Sequence, residues 1–188
     1  TDGTIQILKK FISYKNITII FKDKNLGYGD SIKKGFNLAK KDLIYIQYGD
    51  LEYPIDGFYK MLKKFNQTNA DVVFGERYEK FSIKRKFAEI INRPQYLGTL
   101  ITTYMINVFY GAKFNDIIGS KLYRSLKFKN LNINTDNPGF DFELISRIMK
   151  KRFLIETVHV PYRARQNSSE KKIKFYHIFN AIYEILRI

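Results

Sequence analysis

Asp50 and Glu52, two carboxylates two residues apart, stand where an apolar run gives way to a helix signal, in Ile46-Gln47-Tyr48-Gly49-Asp50-Leu51-Glu52-Tyr53-Pro54. In extended chain, an i, i+2 spacing turns both side chains to one side. If the apolar run is a parallel strand, the pair lies at its carboxyl end, where open α/β sheets bind ligands. Hard divalent cations such as Mg²⁺ or Mn²⁺ take one or two carboxylates and complete their shell with water and phosphate oxygens, so this segment suits a metal-diphosphate site. Solvated loop acids that favour the amino end of the next helix account for the same spacing.

A second candidate is Asn25-Leu26-Gly27-Tyr28-Gly29-Asp30-Ser31, with permissive glycines ahead of a helix where backbone must approach something closely. It lacks the Gly-x-Gly-x-x-Gly spacing and any Lys-Ser/Thr ending, so it is neither a dinucleotide fingerprint nor a P-loop. An ordinary strand-to-helix turn explains it equally well. Arg77 follows the apolar run Asp71 to Gly75 through Glu76, which predicts its side chain on the same rim as Asp50.

Other chemistries are excluded by composition. The chain has no Cys, which removes disulfides, thiolate metal sites and a Cys nucleophile together, and its two His are too few for a multi-histidine zinc site. With 188 residues, 45% of them apolar and 27% charged, it is long enough for one domain with a real core. Thirty-three Lys+Arg against eighteen Asp+Glu leave a net charge of +15, so an anionic partner is expected: nucleic acid, an acidic membrane face or a phosphorylated substrate. The start of the chain carries no secretory signal pattern. Gln95 to Ala112 is free of charge but broken by Gly98, Gly111 and several Thr and Asn, so no transmembrane helix is read there.

The elements that must position these residues follow from periodicity. Ile17 to Phe21, Leu43 to Tyr48 and Asp71 to Gly75 read as buried strands. A short helix with Ile5, Leu8, Phe11 and Ile12, capped by Thr1 or Asp2, precedes them. Helical patterns at Tyr28 to Lys41 and Pro54 to Phe65 separate them, the second with Pro at its favoured first turn. Strand and helix in this alternation predict a right-handed parallel βαβ arrangement. Beyond Gly75 come a basic loop (Lys80 to Lys86), a helix from Pro94 to about Tyr110, a strand at Lys121 to Arg124 and a helix at Phe140 to Lys151. A strand at Leu154 to Val160, a basic loop at Arg163 to Lys174 and a last helix at Tyr176 to Leu186 complete the chain.

In order and spacing, these pieces resemble the dolichol-phosphate mannose synthase group of GT-A glycosyltransferases, family 2 type. Asn25-x-Gly27-x-Gly29 with Gly35, Gly49-Asp50-Leu51-Glu52-Tyr53-Pro54, and Asp71-Val72-Val73-Phe74-Gly75-Glu76-Arg77 carry the likeness first. It continues through Asp116-Ile117-Ile118-Gly119-Ser120-Lys121, Phe140-Asp141-Phe142-Glu143-Leu144, and Glu156-x-Val158-x-Val160-Pro161-Tyr162-x-x-Arg165 with Lys171-Lys172-Ile173, over nearly the whole chain. The resemblance implies a GT-A-like, Rossmann-related α/β fold with a mostly parallel sheet flanked by helices. It implies one catalytic domain over residues 1–188, lacking the family's first strands, with Thr1-Asp2-Gly3-Thr4 matching the end of an acidic motif.

The function so implied is inverting transfer of a hexose, of mannose or glucose type, from a nucleotide diphosphate sugar to a polyprenyl-phosphate lipid, in cell-envelope glycan assembly. Asp50 and Asp116 are then the expected catalytic residues, and Asp50 and Glu52 the ligands of Mg²⁺ or Mn²⁺. Asn25, Gly27, Gly49, Asp50 and Arg77 are expected at the donor, and Arg77, Arg165, Lys171 and Lys172 at the acceptor phosphate. A cytoplasmic protein attached peripherally to the membrane follows, with Tyr96 to Tyr110 either a helix lying in the headgroup zone or a core helix. The sequence departs from the family at Tyr48, where an Asp-x-Asp motif has its first Asp. That departure keeps a catalytically silent relative open as an alternative. A basic nucleic-acid-binding domain is a further rival, although no such signature is present and none is expected as a partner under the resemblance.

Overall fold

A computed structural model describes residues 3–78, 89–91, 95–136, 139–164 and 177–188. Its elements in chain order are α1 (Thr4–Lys9), α2 (Tyr28–Leu38), β1 (Leu43–Tyr45), α3 (Asp56–Gln67), β2 (Val72–Glu76), α4 (Gln95–Tyr110), β3 (Lys121–Arg124), α5 (Ser125–Lys129), α6 (Phe140–Lys150), β4 (Ile155–His159) and α7 (His177–Arg187). Four strands form one sheet in the order β1-β3-β2-β4. β2 and β4 are parallel, Val72 facing Ile155 and Glu76 facing His159. β3 is antiparallel to both β1 and β2, Tyr123 facing Ile44 on one side and Val72 on the other.

β2 shows why the sheet has helices on both faces. All five of its residues are buried, so alternate side chains need cover in both directions. Val72 and Phe74, with Tyr123 of β3, pack against Phe36 of α2, Ile106 of α4, the α6 residues Phe140, Leu144, Ile145 and Ile148, and Ile185 of α7. Val73 and Leu122 turn the other way, onto Met61 and Phe65 of α3 and Val160 beyond β4. The observed architecture is therefore an α/β sheet flanked by helices, in which β1, β2 and β4 run one way and β3 runs against them, so the pairing is mixed.

Three expectations are corrected. β1 and β2 run parallel, as a β-α-β crossover requires, but they are not neighbours: β3 lies between them and runs the other way. The strand expected through Tyr48 ends at Tyr45, where pairing with β3 stops at Leu122, and the turn follows only at Gly49. Ile17 to Phe21 is irregular rather than a buried strand, and Ile17, Ile20 and Phe21 are exposed. A strand needs a ladder partner for its N–H and C=O groups, and among the described residues none pairs with this segment. Similarly, α1 forms with Gly3 at its cap but buries none of its residues. Thr1 and Asp2 lie outside the described residues.

Candidate functional site

Because β1, β2 and β4 point one way, their carboxyl ends share one rim, and β3 begins at that rim because it runs back. Gly49, Asp50, Glu52, Arg77 and Asp116 of the expected site occupy the segments that leave or enter there. β1 runs into the turn holding Asp50 and Glu52, β2 delivers Glu76 and Arg77, β4 leads to Tyr162, and the segment holding Asp116 precedes β3.

The acidic segment is a turn, not the extended chain that would set both carboxylates on one side. Leu51 has φ 61°, in the left-handed region, and the Asp50 carboxylate accepts the Glu52 N–H at 3.2 Å. Such a side-chain-to-backbone turn holds a conformation that a leucine alone disfavours. Glu52 is fixed from across the rim. Its carboxylate accepts the Tyr162 hydroxyl at 3.1 Å, and its carbonyl accepts the Arg163 N–H at 2.8 Å. Burial, with Glu52 opposing and Arg77 favouring loss of the proton, pushes the Tyr162 hydroxyl up to about 12. The phenol is thus the donor in this bond.

Arg77 and Asp116 form the rim's buried ion pair, with side chains 11% and 0% exposed. The Asp116 carboxylate accepts four hydrogen bonds: from Arg77 Nε at 2.8 Å, Arg77 Nη2 at 3.0 Å, the Arg77 main-chain N–H at 3.0 Å and the Ile118 N–H at 3.0 Å. Four bonds fill the lone-pair sites of a carboxylate. Burial alone pushes the Asp116 carboxyl up, but the Arg77 charge and these bonds bring it below the usual range. Burial opposes the guanidinium's charge too, and Asp116 more than offsets it. The guanidinium also lies over the rings of Tyr78 and Tyr162, 5.2 Å from each centroid, a cation–π arrangement.

A second clasp sits beside this pair. The buried Glu76 carboxylate accepts the Asn115 N–H at 2.8 Å and its side-chain amide at 2.9 Å, while the Gly75 N–H donates to the Ser120 carbonyl at 2.8 Å. Gly119 approaches so closely that a Cβ would lie 1.8 Å from the Gly75 oxygen. Consecutive residues at the end of β2 therefore grip consecutive residues of the segment before β3.

The expected donor residues divide. Asn25 caps its own turn, its side chain accepting the Gly27 N–H at 3.0 Å. Gly27, at φ 100°, needs glycine because a Cβ would meet the Asp136 carbonyl oxygen at 2.4 Å. The close approach made there is thus to the chain's own backbone. Gly49 is exposed, with open space where a Cβ would stand. Tyr28 joins this segment to the acidic turn, its hydroxyl hydrogen-bonded to that of Tyr48. Burial, with Asp141 adding to it, holds both phenols above their usual range. Arg165, Lys171 and Lys172 lie outside the described residues.

Reading by spacing gave no role to Tyr162, Asp141 or Lys121. Asp141, at the start of α6, is hydrogen-bonded to Tyr28; burial raises its carboxyl, and Lys121 and Tyr28 oppose that rise. Lys121 is 4% exposed, donates to the Gly119 carbonyl at 2.9 Å and lies over the Phe74 ring. Burial pushes its ammonium down against the pull of Asp141 and Asp116. Lys121 and Asp141 sit inside segments that carry the family resemblance, which is the one signal in the sequence that points to them.

Fold and rim together define an α/β protein that gathers acidic, basic and phenolic side chains at the carboxyl ends of parallel strands. The chain belongs to glycosyl transferase family 2, whose model matches residues 1–184. It is 22% identical over 159 residues to the low-salt glycan biosynthesis hexosyltransferase Agl6 of Haloferax volcanii, covering 84% of this chain and 38% of that one. It is 31% identical over 121 residues to an uncharacterized protein of Methanocaldococcus jannaschii, covering 60% of this chain and 49% of the relative. The chain thus spans less than half the length of these curated relatives. In fold it is similar to glucosyl-3-phosphoglycerate synthase from Mycobacterium tuberculosis, solved with uridine diphosphate, at a TM-score of 0.59 and 12% identity over 100% of this chain and 65% of that one. Among the described residues, no helix is long and apolar enough to cross a membrane.

Proposed function

We propose that this chain transfers a hexose, with inversion, from a nucleoside diphosphate sugar to a polyprenyl phosphate at a membrane surface, in the manner of the dolichol-phosphate mannose synthase group. The observation that carries the reading is the convergence of Asp50, Glu52, Arg77 and Asp116 on one rim of a family 2 fold. In such a transfer, a phosphate oxygen of the acceptor bonds to the anomeric carbon while the bond from that carbon to the diphosphate breaks. A lipid monophosphate is already largely ionised at neutral pH, its second pKa being about 6, so its oxygen needs placement more than deprotonation.

The donor types in the acidic turn would suit a small divalent cation. The donors in the acidic turn are carboxylate oxygens, and among the described residues no group of three or more acidic or histidine side chains is placed to hold a metal ion, so substrate oxygens would have to supply the rest of the shell. One or two carboxylates plus substrate phosphates is the pattern that suits Mg²⁺ or Mn²⁺. Asp50 and Glu52 would hold it, and its chemistry there is Lewis-acid neutralisation of the leaving diphosphate. Arg77, on the same rim and kept charged by Asp116, adds positive potential where phosphates gather. Asp116, with its four acceptor sites filled, acts through Arg77. Arg165, Lys171 and Lys172 complete the acceptor's cationic surroundings in this reading.

Two helices suit a lipid acceptor. α4 contains no charged residue and exposes Leu97, Tyr104, Val108 and Phe109, and α7, packed beside it, exposes Phe179, Tyr183 and Leu186. Apolar and aromatic side chains of this kind settle in the headgroup zone, and the chain's net charge of +15 favours an anionic leaflet.

The test is sugar transfer from radiolabelled UDP-glucose and GDP-mannose to polyprenyl phosphate in anionic vesicles, with Mn²⁺ present, comparing the parent with Asp50→Ala. Labelled lipid from the parent, reduced at least 100-fold in the variant, is expected. Tyr48 favours a second reading, a silent relative, because the position of an expected carboxylate holds a phenol bonded to Tyr28. Donor binding with no transfer to any phosphate acceptor would select that reading and refute the first.

A further inference from the structure

Tyr162 comes from the far end of the chain, 110 residues from Glu52, yet it touches both halves of the rim. Its hydroxyl donates to the Glu52 carboxylate at 3.1 Å, and its ring lies under the Arg77 guanidinium at 5.2 Å. The neighbouring Arg163 N–H holds the Glu52 carbonyl at 2.8 Å, so the segment after β4 grips the acidic turn by main chain and side chain together. The ring is fixed from its other edges by Tyr53, with centroids 5.2 Å apart, and by Tyr78 at 6.3 Å. A phenol so packed has little rotamer freedom. The carboxylate it holds is therefore kept in one place although it stands on a turn whose apex, Leu51, is exposed.

We infer that Tyr162 is a positioning residue: through its hydroxyl it aims the Glu52 carboxylate at the cation, and through its ring it fixes Arg77 beside it. The inference rests on the reading of Asp50 and Glu52 as cation ligands. It assigns part of the orientation of Glu52 to a group outside the acidic motif. A carboxylate ligand that is itself hydrogen-bonded is held ready in the bound geometry, and loss of such an outer partner weakens metal binding about 10–100-fold. Tyr162 matters here because Tyr48 stands where a further carboxylate is expected, leaving the orientation of Glu52 to carry more of the affinity.

The experiment is titration of the protein with Mn²⁺, alone and with uridine diphosphate present, followed by the free-ion signal in electron paramagnetic resonance, on the parent, Tyr162→Phe, Glu52→Gln, the double variant and Asp50→Ala. Tyr162→Phe keeps the ring against Arg77 and removes only the hydroxyl. Expected is a Mn²⁺ dissociation constant raised about 10-fold or more in Tyr162→Phe, and no further rise when Tyr162→Phe is added to Glu52→Gln. That lack of additivity marks action through Glu52 and would not arise from a general loss of stability, which thermal melts of the same proteins read separately. Unchanged Mn²⁺ binding in Tyr162→Phe, with binding lost in Asp50→Ala, overturns the role of Tyr162 and leaves the cation site standing. An additive loss in the double variant overturns it equally. Absence of Mn²⁺ binding in the parent, both alone and with uridine diphosphate present, overturns the cation reading and this inference with it.

Discussion

Asp116→Ala tests how the rim is held together. The carboxylate is fully buried and the guanidinium is 11% exposed, so solvent does little to replace what is lost. The substitution strips two acceptors from the guanidinium, at 2.8 and 3.0 Å, and one from each of the Arg77 and Ile118 N–H groups, both at 3.0 Å. Removing one member of a buried pair strands the other charge and costs about 3–5 kcal/mol. For a domain of this size that lowers the melting midpoint by about 6–20 °C. Adding Arg77→Met removes the stranded charge and should return about 2 kcal/mol, so the double variant is more stable than Asp116→Ala alone. Urea unfolding at pH 7, followed by far-ultraviolet circular dichroism, measures each step. A loss below about 1 kcal/mol for Asp116→Ala, the range of exposed pairs, or strict additivity in the double variant, would refute a buried and mutually dependent pair.

Two further outcomes follow from the same geometry. Gly119→Ala forces a Cβ to within 1.8 Å of a main-chain oxygen that cannot swing aside, whereas Gly35→Ala, within α2, meets nothing within 4 Å. The first should cost more than about 4 kcal/mol and the second should stabilise by about 0.5–1 kcal/mol, both read by thermal melts. In acid, Asp116 and Glu143 both have folded-state pKa values below their ordinary ones. For Asp116, the Arg77 charge and its bonds outweigh burial. For Glu143, bonds from Thr135, Asn134 and Arg147 do the same. A depressed acid contributes stability above its unfolded pKa, about 4, and that stability is lost as pH falls through the lower folded value. Unfolding free energy should therefore hold from pH 7 to about 5 and fall steeply below 4, with a shallower fall in Asp116→Asn.

Much of the fold was legible from local pattern. The helices of α2, α3, α4, α6 and α7 and the strands β2, β3 and β4 lie within a few residues of where periodicity puts them, because each has a face that must be buried whatever its partner. Ile17 to Phe21 shows the limit of that logic. Its composition is that of a strand, but a strand exists only where another backbone accepts its hydrogen bonds. β3 shows the same limit in position, since nothing in Lys121 to Arg124 says that it inserts between β1 and β2. At the site, the expectation that Asp50 and Glu52 share a side assumed extended chain, and the left-handed Leu51 replaces that premise with a turn.

The sequence by itself determined which residue types reach the carboxyl rim: an apolar run followed by Asp50 and Glu52, another followed by Glu76 and Arg77, and a family likeness carried by their order. Tertiary structure alone decided what each became. Asp116 has its acceptor sites filled because Arg77 and two N–H groups close around it. Gly27 is glycine because the Asp136 backbone presses on it, and Glu52 is held by a tyrosine 110 residues away. These outcomes depend on which distant segments the packed sheet brings into contact, and local spacing contains no term for that.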